Sequence, residues 1–448
     1  MGIFKGNDIR GIYGKNLKDE DAYKIGRAFV KFLKAKEIII ARDNRLSSPA
    51  LTRALIKGIL DAGANVIDIG MIDSPGLYFA SHYWKKPGII TTASHNPPKH
   101  NGFYLVKEDA VSIYQDNGLK KIEQIYKKNK LSKIDKGLSL KKINIEKPYL
   151  KHILSFININ KIKPMRIVID AGNGVGAIMA RKMFEKFPQI KVIPLFFESD
   201  GTYPNRSPDT SIPENLKKLC QKVKKEKANF GIAFDGDADR VAFVDEKGQV
   251  IEGSLIGALL VQNMLRNNKE KEKIIYTIGC SKIVPETIKE MQAIPIREKV
   301  GHSFVNASMR RNKALFGIEH TGHYFYKDNF YAESPFITSL LVLKLLSSSN
   351  KTISNLIAPY KKYYSTGEIS FHAKNQSISL NKIKKELNRI YNKKIDTFDG
   401  LFLDLGNYWF RIRASQTEPL IRLAIEGKSK SIVDKVRRWL VSLIKKQV

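Results

Sequence analysis

The chain has 448 residues, with 77 lysines and arginines against 44 aspartates and glutamates, a formal net charge of +33. That length predicts about three domains, with four still comfortable, and an apolar fraction of 43% excludes a wholly disordered chain. Two cysteines, Cys220 and Cys280, exclude a disulfide framework. The N-terminal MGIFKGNDIRGIYG lacks the apolar core of a signal peptide, and no apolar run nears the ~20 residues of a bilayer span. A cytoplasmic protein without membrane partners is expected.

In chain order, the sequence repeats one local grammar of short β-branched run, glycine or polar turn, then amphipathic helix. EIIIARD (37–43) precedes a helical SSPALTRALIKGILDAGA, and NVIDIG (65–70) follows. PGII runs into TTASHNPP at 91–98, where two prolines forbid a continuing helix. The lysine-rich stretch 127–148 reads as a surface connection to a second unit. RIVIDAGNGVGA (166–177) leads into IMARKMFEKF and then IKVIPLF, and ANFGIAFDGDADRVAFVDEKG (228–248) reads as strand, acidic loop, strand. KIIYTIG (273–279) precedes a helix, and KALFGIEH (313–320) ends in a polar loop. The last segment pairs strand-like runs around RASQTEP and closes with the helix SIVDKVRRWLVSLIKK. Strands alternating with helices predict α/β units with mixed sheets, followed by a small C-terminal α+β unit. The expected divisions are 1–145, 146–248, 249–362 and 363–448.

The charge admits a nucleic-acid binder, a membrane-surface protein or an enzyme for anionic substrates. Nineteen arginines leave 58 lysines, and the arginines form no single stripe. Scattered lysine reads first as a solvated surface.

Four loops carry chemistry. Asp235-Gly236-Asp237-Ala238-Asp239-Arg240 sets three carboxylates at alternate positions, which in extended backbone point to one side and suit a hard cation such as Mg²⁺. An EF-hand would need glycine where Arg240 stands, and the flanks are strand-like; an acidic surface turn is the plain alternative. Ser94, with His95 beside it, sits on a tight loop and needs a base or metal to become a nucleophile, and no G-x-S-x-G elbow surrounds it. A proline-terminated loop capped by Ser and Asn is equally consistent. Arg413-Ala414-Ser415-Gln416-Thr417-Glu418-Pro419 offers an arginine, hydroxyls and backbone N–H groups at one turn, either a phosphate cradle or an ordinary hairpin turn. Glu319-His320-Thr321-Gly322-His323 suits vicinal sugar hydroxyls, or holds a pair of ordinary loop histidines. GNGVG at 172–176 departs from G-x-G-x-x-G and needs no dinucleotide.

TASHNPP, DGDADR, IEHTGH and RASQTEP, in this order, resemble the phosphoserine, metal, sugar and phosphate loops of the α-D-phosphohexomutase superfamily. NDIRG (7–11), RDNRLSSP (42–49), DAGNGVGA (170–177), GTYPNRSPDT (201–210) and VGHSFV (300–305) extend the resemblance over nearly the whole chain. It implies three similar α/β domains and a TATA-box-binding-like fourth around a central cleft. It further implies that Ser94 carries the phosphoryl group and binds Mg²⁺ with Asp235, Asp237 and Asp239. Arg10 and Arg240 match family arginines near the phosphoserine. Glu319, Thr321 and His323 would meet the sugar, while Arg413, Ser415, Gln416, Thr417 and Arg422 would hold the non-transferring phosphate. The implied reaction interconverts hexose 1-phosphate and hexose 6-phosphate through a bound hexose 1,6-bisphosphate, which also serves as activator. The E-H-T-G-H loop leans to the phosphomannomutase-like branch, with glucose as a second substrate; a phosphoglucosamine mutase is the alternative and usually carries Gln there. A non-catalytic sugar-phosphate or nucleic-acid-binding protein is the reading from another class. A phosphosugar, no specific nucleic acid, and a monomer or homodimer are expected. Three departures stand out: Tyr104 replaces a lysine assigned to proton transfer, Gly279 lacks a second lysine, and Gln416 replaces Asn or Gly. His95, His302 and His323 remain as proton-transfer candidates.

Overall fold

The computed structural model describes residues 2–128, 138–266, 270–391, 393–415 and 419–448. In the strand Glu37–Arg42, Ile38 and Ile40 enter one apolar layer while Ile39 and Ala41 enter another. A strand buried on both faces therefore lies between two helical layers. Helices Asp19–Leu33 and Ser48–Asp61 supply Ile25, Phe29, Leu51, Leu55 and Ile59 to the first layer, and helix Ser74–Trp84 supplies Leu77, Phe79 and Ala80 to the second. The first two helices cross closely at Gly58, where any Cβ would overlap the Tyr23 carbonyl.

The first sheet runs Ile9–Ile12, His100–Lys107, Gly88–Thr91, Glu37–Arg42, Asn65–Met71, Leu140–Lys142, with Val111–Ser112 beside His100–Lys107. Its inner strands are parallel, and the strands Ile9–Ile12 and His100–Lys107 are antiparallel additions. The stretch expected as a mere connection thus contributes an edge strand, Leu140–Lys142, exposed throughout and paired through its backbone to Asn65–Met71. It carries no apolar alternation, so side-chain pattern could not announce it. Residues 129–137 of that stretch lie outside the described ones.

The second sheet orders Val250–Ile251, Val241–Asp245, Phe230–Phe234, Met165–Asp170, Ile190–Leu195. The division expected at 248 falls inside a hairpin, because the Asp245 carboxylate accepts from the N–H of Lys247 (3.0 Å) and Gln249 (2.8 Å) and turns the chain back. The third sheet orders Ile294–Glu298, Lys273–Thr277, Phe316–Ile318, Tyr324–Tyr326, Ala332–Glu333. One apolar core runs through all three units, from Ile39 and Phe79 through Tyr149 and Phe234 to Ile274 and Phe336.

The fourth sheet is antiparallel, Tyr364–His372, Leu420–Gly427, Tyr408–Ala414, Leu401–Asp404. It carries helices Gln376–Ile390 and Lys430–Lys445 on a core of its own that includes Phe371, Phe410, Ile412, Leu423 and Leu440. Polar groups join it to the third unit: Lys282 Nζ to Asp404 (2.7 Å), Lys282 N to Glu426 (2.9 Å), Arg297 to Asp396 (2.5 Å) and Val300 N to Asp399 (3.2 Å). The mixed α/β class with a C-terminal sheet unit is as expected. No helix among the described residues is long and apolar enough to cross a membrane.

Candidate active site

Strand Gly88–Thr91 delivers the serine loop. Thr92 Oγ1 accepts the Ser94 N–H (3.0 Å), and Ser94 holds φ at +45°, a left-handed conformation that any side chain there adopts only under constraint. The constraint is Arg45, whose Nη2 donates to the carbonyls of Ser94 (2.6 Å) and Asn96 (2.7 Å) and whose Nη1 donates to those of Pro97 (2.8 Å) and His100 (3.0 Å). Asp43 faces its Nε at 3.1 Å, and both side chains are fully buried. Arg10 braces the loop from the other side, donating Nη1 to the Ala93 carbonyl (2.8 Å) and to Asn96, and Nη2 to the Tyr104 hydroxyl. Asp8 pairs with its Nε at 2.9 Å.

Ser94 Oγ then meets the acidic loop. It donates to Asp235 Oδ2 (2.8 Å), lies 3.4 Å from Asp239 Oδ1 and stands 3.2 Å from His95 Nδ1. Oxygens of Asp235, Asp237 and Asp239 all fall within 4.8 Å of one another, and each residue is at most 1% exposed. The alternation predicts extended backbone here, but the convergence is produced by a turn instead. The segment turns, with Ala238 at φ +51°, and Asp235 Oδ1 accepts the N–H groups of Asp239 and Arg240 (3.1 Å each) to close it. Ser74 Oγ (2.6 Å) and Thr92 Oγ1 (3.0 Å) donate to Asp237 Oδ2 and tie the acidic loop to the first unit.

Three buried carboxylates repel one another. Burial, then the neighbouring Asp239, pushes Asp235 well above the carboxylate range and Asp237 up to about 7. Asp237 Oδ1 and Asp239 Oδ2 have no hydrogen-bond partner among the described residues. Buried oxygens without donors, in a crowded acidic cluster, suit a divalent cation.

The loop 319–323 closes the site from the third unit. Burial alone would lower His323, but Asp239 (3.3 Å) and Glu319 (3.6 Å) on its two ring nitrogens raise it to about 10. Glu319 accepts from Gly301 N (3.1 Å) and Thr321 Oγ1 (2.8 Å). Gly322, at φ +101°, lies where a Cβ would stand 2.5 Å from the Val241 carbonyl, so the backbone of the 319–323 loop packs directly on the strand after the acidic loop. Arg240 reaches Asp209 and Asp239 at 3.9 Å each. His302 opens helix His302–Asn312, with its ring 4.8 Å from that of Tyr104 and Nδ1 3.3 Å from Glu333; burial opposes its charge, yet Glu333 raises it. Burial, then Arg240, holds His95 well below the usual histidine value, so it stays neutral near pH 7.

Sequence comparison divides the chain into the same four units. Residues 1–133, 147–248 and 252–363 match alpha/beta/alpha domains I, II and III of phosphoglucomutase/phosphomannomutase, and residues 374–441 match its C-terminal domain. The chain belongs to the phosphoglucomutase/phosphomannomutase family. A phosphomannomutase of Vibrio cholerae is 36% identical, covering 99% of this chain and 98% of its own, and one of Methanocaldococcus jannaschii is 34% identical with the same coverage. A crystal structure of a phosphoglucomutase/phosphomannomutase family protein from Burkholderia thailandensis superposes with a TM-score of 0.88 at 30% identity, over 99% of this chain and 97% of that one.

Within this family member, the structure gathers Ser94, His95, Arg10, Arg240, His302, Glu319, Thr321, His323 and the three aspartates into one cluster of side chains. Arg413, Ser415 and Arg422 stand apart on the fourth sheet; Gln416 and Thr417 lie outside the described residues. The alternation of that sheet sends Ile412 and Leu423 to the core and Arg411, Arg413 and Arg422 to the other face. Ser415 N donates to the Leu420 carbonyl (2.8 Å), closing the strands on either side of the turn. His320 bridges the two groups. Burial lowers it to about 4, and Glu368, Arg411, Glu319 and Arg413 all act on it. It also fills the space beside Gly279, where any Cβ would strike its imidazole, so a lysine at 279 and this histidine placement exclude each other.

Arg45, Glu333 and Glu368 escaped the sequence reading. The first lies in RDNRLSSP, a segment whose match to the family carried no role; the other two sit in unremarkable strands.

Proposed function

We propose that the chain interconverts hexose 1-phosphate and hexose 6-phosphate, with mannose preferred and glucose also accepted, through a phosphoserine at Ser94. The observation that carries this reading is the Ser94 hydroxyl, hydrogen-bonded to Asp235 and beside Asp239 and His95. The phosphomannomutase name of the relatives supports mannose as the sugar. In the first half-reaction a sugar hydroxyl oxygen bonds to phosphorus, the bond from phosphorus to Ser94 Oγ breaks, and the hydroxyl proton leaves to a base of the cleft. The resulting hexose 1,6-bisphosphate turns over and returns its other phosphoryl group to Ser94.

Each residue has a physical task. Arg10 and Arg45 hold the serine loop in its strained conformation, and Arg10 and Arg240 add positive charge near the transferring group. Neutral His95 is suited to accept a proton. Tyr104 stays protonated, so His302, held by Glu333, is the second proton-transfer candidate. Glu319, Thr321 and the charged His323 face sugar hydroxyls, and Arg413, Ser415 and Arg422 receive the non-transferring phosphate with Gln416 and Thr417. Asp235, Asp237 and Asp239, with a Ser94 oxygen, would hold Mg²⁺, which would supply positive charge against the transferring phosphoryl oxygens.

A coupled assay across mannose, glucose and glucosamine phosphates, with and without Mg²⁺ and the 1,6-bisphosphate, tests both activity and choice of sugar. Replacing Ser94 with alanine should lower turnover by roughly a thousandfold or more, since the covalent carrier is gone. Near-normal turnover in that variant sinks the phosphoserine assignment.

A further inference from the structure

The arginines of the fourth sheet make an unusual pair. Arg413 and Arg422 are register partners on adjacent antiparallel strands, an arrangement in which like charges repel. Arg411, two positions before Arg413, shares their face and is 1% exposed, whereas the Arg413 and Arg422 side chains are 11% and 26% exposed. Glu368, on the next strand, takes all three: Oε1 accepts from Arg411 (3.1 Å) and Arg413 (3.4 Å), and Oε2 accepts from Arg422 (3.1 Å). Asp399 is a second anion on Arg411 alone, at 3.5 Å.

A bulge puts Glu368 there. Tyr364 and Ser365 pair with Gly427 and Glu426, a register that would carry Glu368 opposite Leu423 on the apolar face. An irregularity between Ser365 and Glu368, with Gly367 at φ +65°, adds one residue and pairs Glu368 with Ala424 instead. One inserted residue exchanges the faces of everything beyond it. The carboxylate is therefore delivered to the arginine face by a specific backbone device.

We propose that Glu368 is a positioning residue that spreads and partly neutralises Arg413 and Arg422, keeping the hold on the non-transferring phosphate weak enough for the bisphosphate to turn over. This rests on the reading that these arginines receive that phosphate. Among the described residues, with Asp399 balancing Arg411, the two outer arginines and Glu368 leave a single net positive charge facing a dianion. Removing the carboxylate charge raises that to two. Phosphate binding tightens, but so does the grip that must be released between the half-reactions, and binding that is equally tight in ground and transition states does not raise turnover.

Calorimetric titration of mannose 6-phosphate and glucose 6-phosphate into the Ser94→Ala chain, which cannot turn over, reads the grip directly. Adding Glu368→Gln should tighten binding by roughly three- to tenfold, and adding Arg413→Ala should weaken it at least tenfold. In the chain with Ser94 intact, Glu368→Gln should lower KM and kcat together. If Arg413→Ala leaves binding unchanged, the phosphate reading itself falls. If Arg413→Ala weakens binding while Glu368→Gln weakens it or leaves it alone, that reading stands and the role of Glu368 is overturned. Should the Glu368→Gln chain not fold, Asp399→Asn decides: it removes the other carboxylate from the same row and should tighten binding by a smaller factor, and unchanged or weaker binding overturns the proposal.

Discussion

Replacing Arg45 with lysine isolates the support beneath the serine. The guanidinium has five N–H donors: two on Nη1 and two on Nη2 go to loop carbonyls, while Nε lies 3.1 Å from Asp43 as an ion pair without hydrogen-bond alignment. Lysine offers three donors from a single point, so at least one of the four loop carbonyls loses its partner and the charge facing Asp43 is displaced, in a site with no solvent exposure. A buried polar group left unpaired costs about 1–3 kcal/mol, which puts the variant about 3 kcal/mol down. On a large cooperative body this lowers Tm by about 5 °C. Ser94 O is one of the four carbonyls that share the remaining donors, and a shift of about 1 Å in a reacting group is worth up to roughly a hundredfold, so kcat should fall about 10- to 100-fold. KM should move far less, because Arg45 touches loop backbone and not the cleft. Differential scanning calorimetry and steady-state kinetics with a hexose 1-phosphate measure both. A Tm within about 1 °C of the parent, together with undiminished kcat, would refute the claim that this arginine holds the loop.

Millimolar Mg²⁺ should raise Tm of the chain, by an amount that grows with the ratio of ion to Kd, and Asp237→Asn should abolish most of that rise while itself stabilising the ion-free chain; an equal rise in the variant removes the triad from the metal site. Burial pushes the Asp73 carboxyl up to about 7 against hydrogen bonds from Tyr149 and Gly76. Its folded value exceeds its unfolded one, so its contribution is whole below about pH 4 and fades as pH rises through about 7. The parent should therefore lose stability, on the order of 4 kcal/mol at most, between about pH 4 and 7, and an unchanged slope in Asp73→Asn would contradict this. Burial keeps the Tyr104 hydroxyl protonated well past neutral pH. Tyr104→Phe should then lower kcat by about tenfold through Arg10 without altering the pH profile; a lost limb would make Tyr104 the proton carrier.

The four loops were legible because each concentrates its chemistry within seven residues. The strands Glu37–Arg42, Phe230–Phe234 and Lys273–Thr277 were legible as β-branched runs between turn residues. Contacts between distant segments were not. Arg45 finds its carbonyls 49 to 55 positions later, and Glu368 meets arginines 43 to 54 positions away, separations that no local window spans. The turned backbone at Ala238 was hidden for another reason: a D-x-D-x-D spacing brings carboxylates together in an extended chain and in a closed loop alike. Tyr104 shows the converse. Its departure from the family pattern was visible, whereas its bond to Arg10 depends on the pairing of Ile9–Ile12 with His100–Lys107.

The polar seam between the fourth unit and the third divides the molecule into two cooperative blocks. None of the first three units can open without exposing apolar surface that the other two also cover. The last block keeps its own core around Phe410 and Leu440 and is attached through Lys282, Arg297 and Val300 N. Heating should therefore resolve two transitions, with the smaller shifting strongly with salt. The order of synthesis matches this division. The larger body is complete before the last block leaves the ribosome, so the arginine row docks onto a cleft whose walls are already folded.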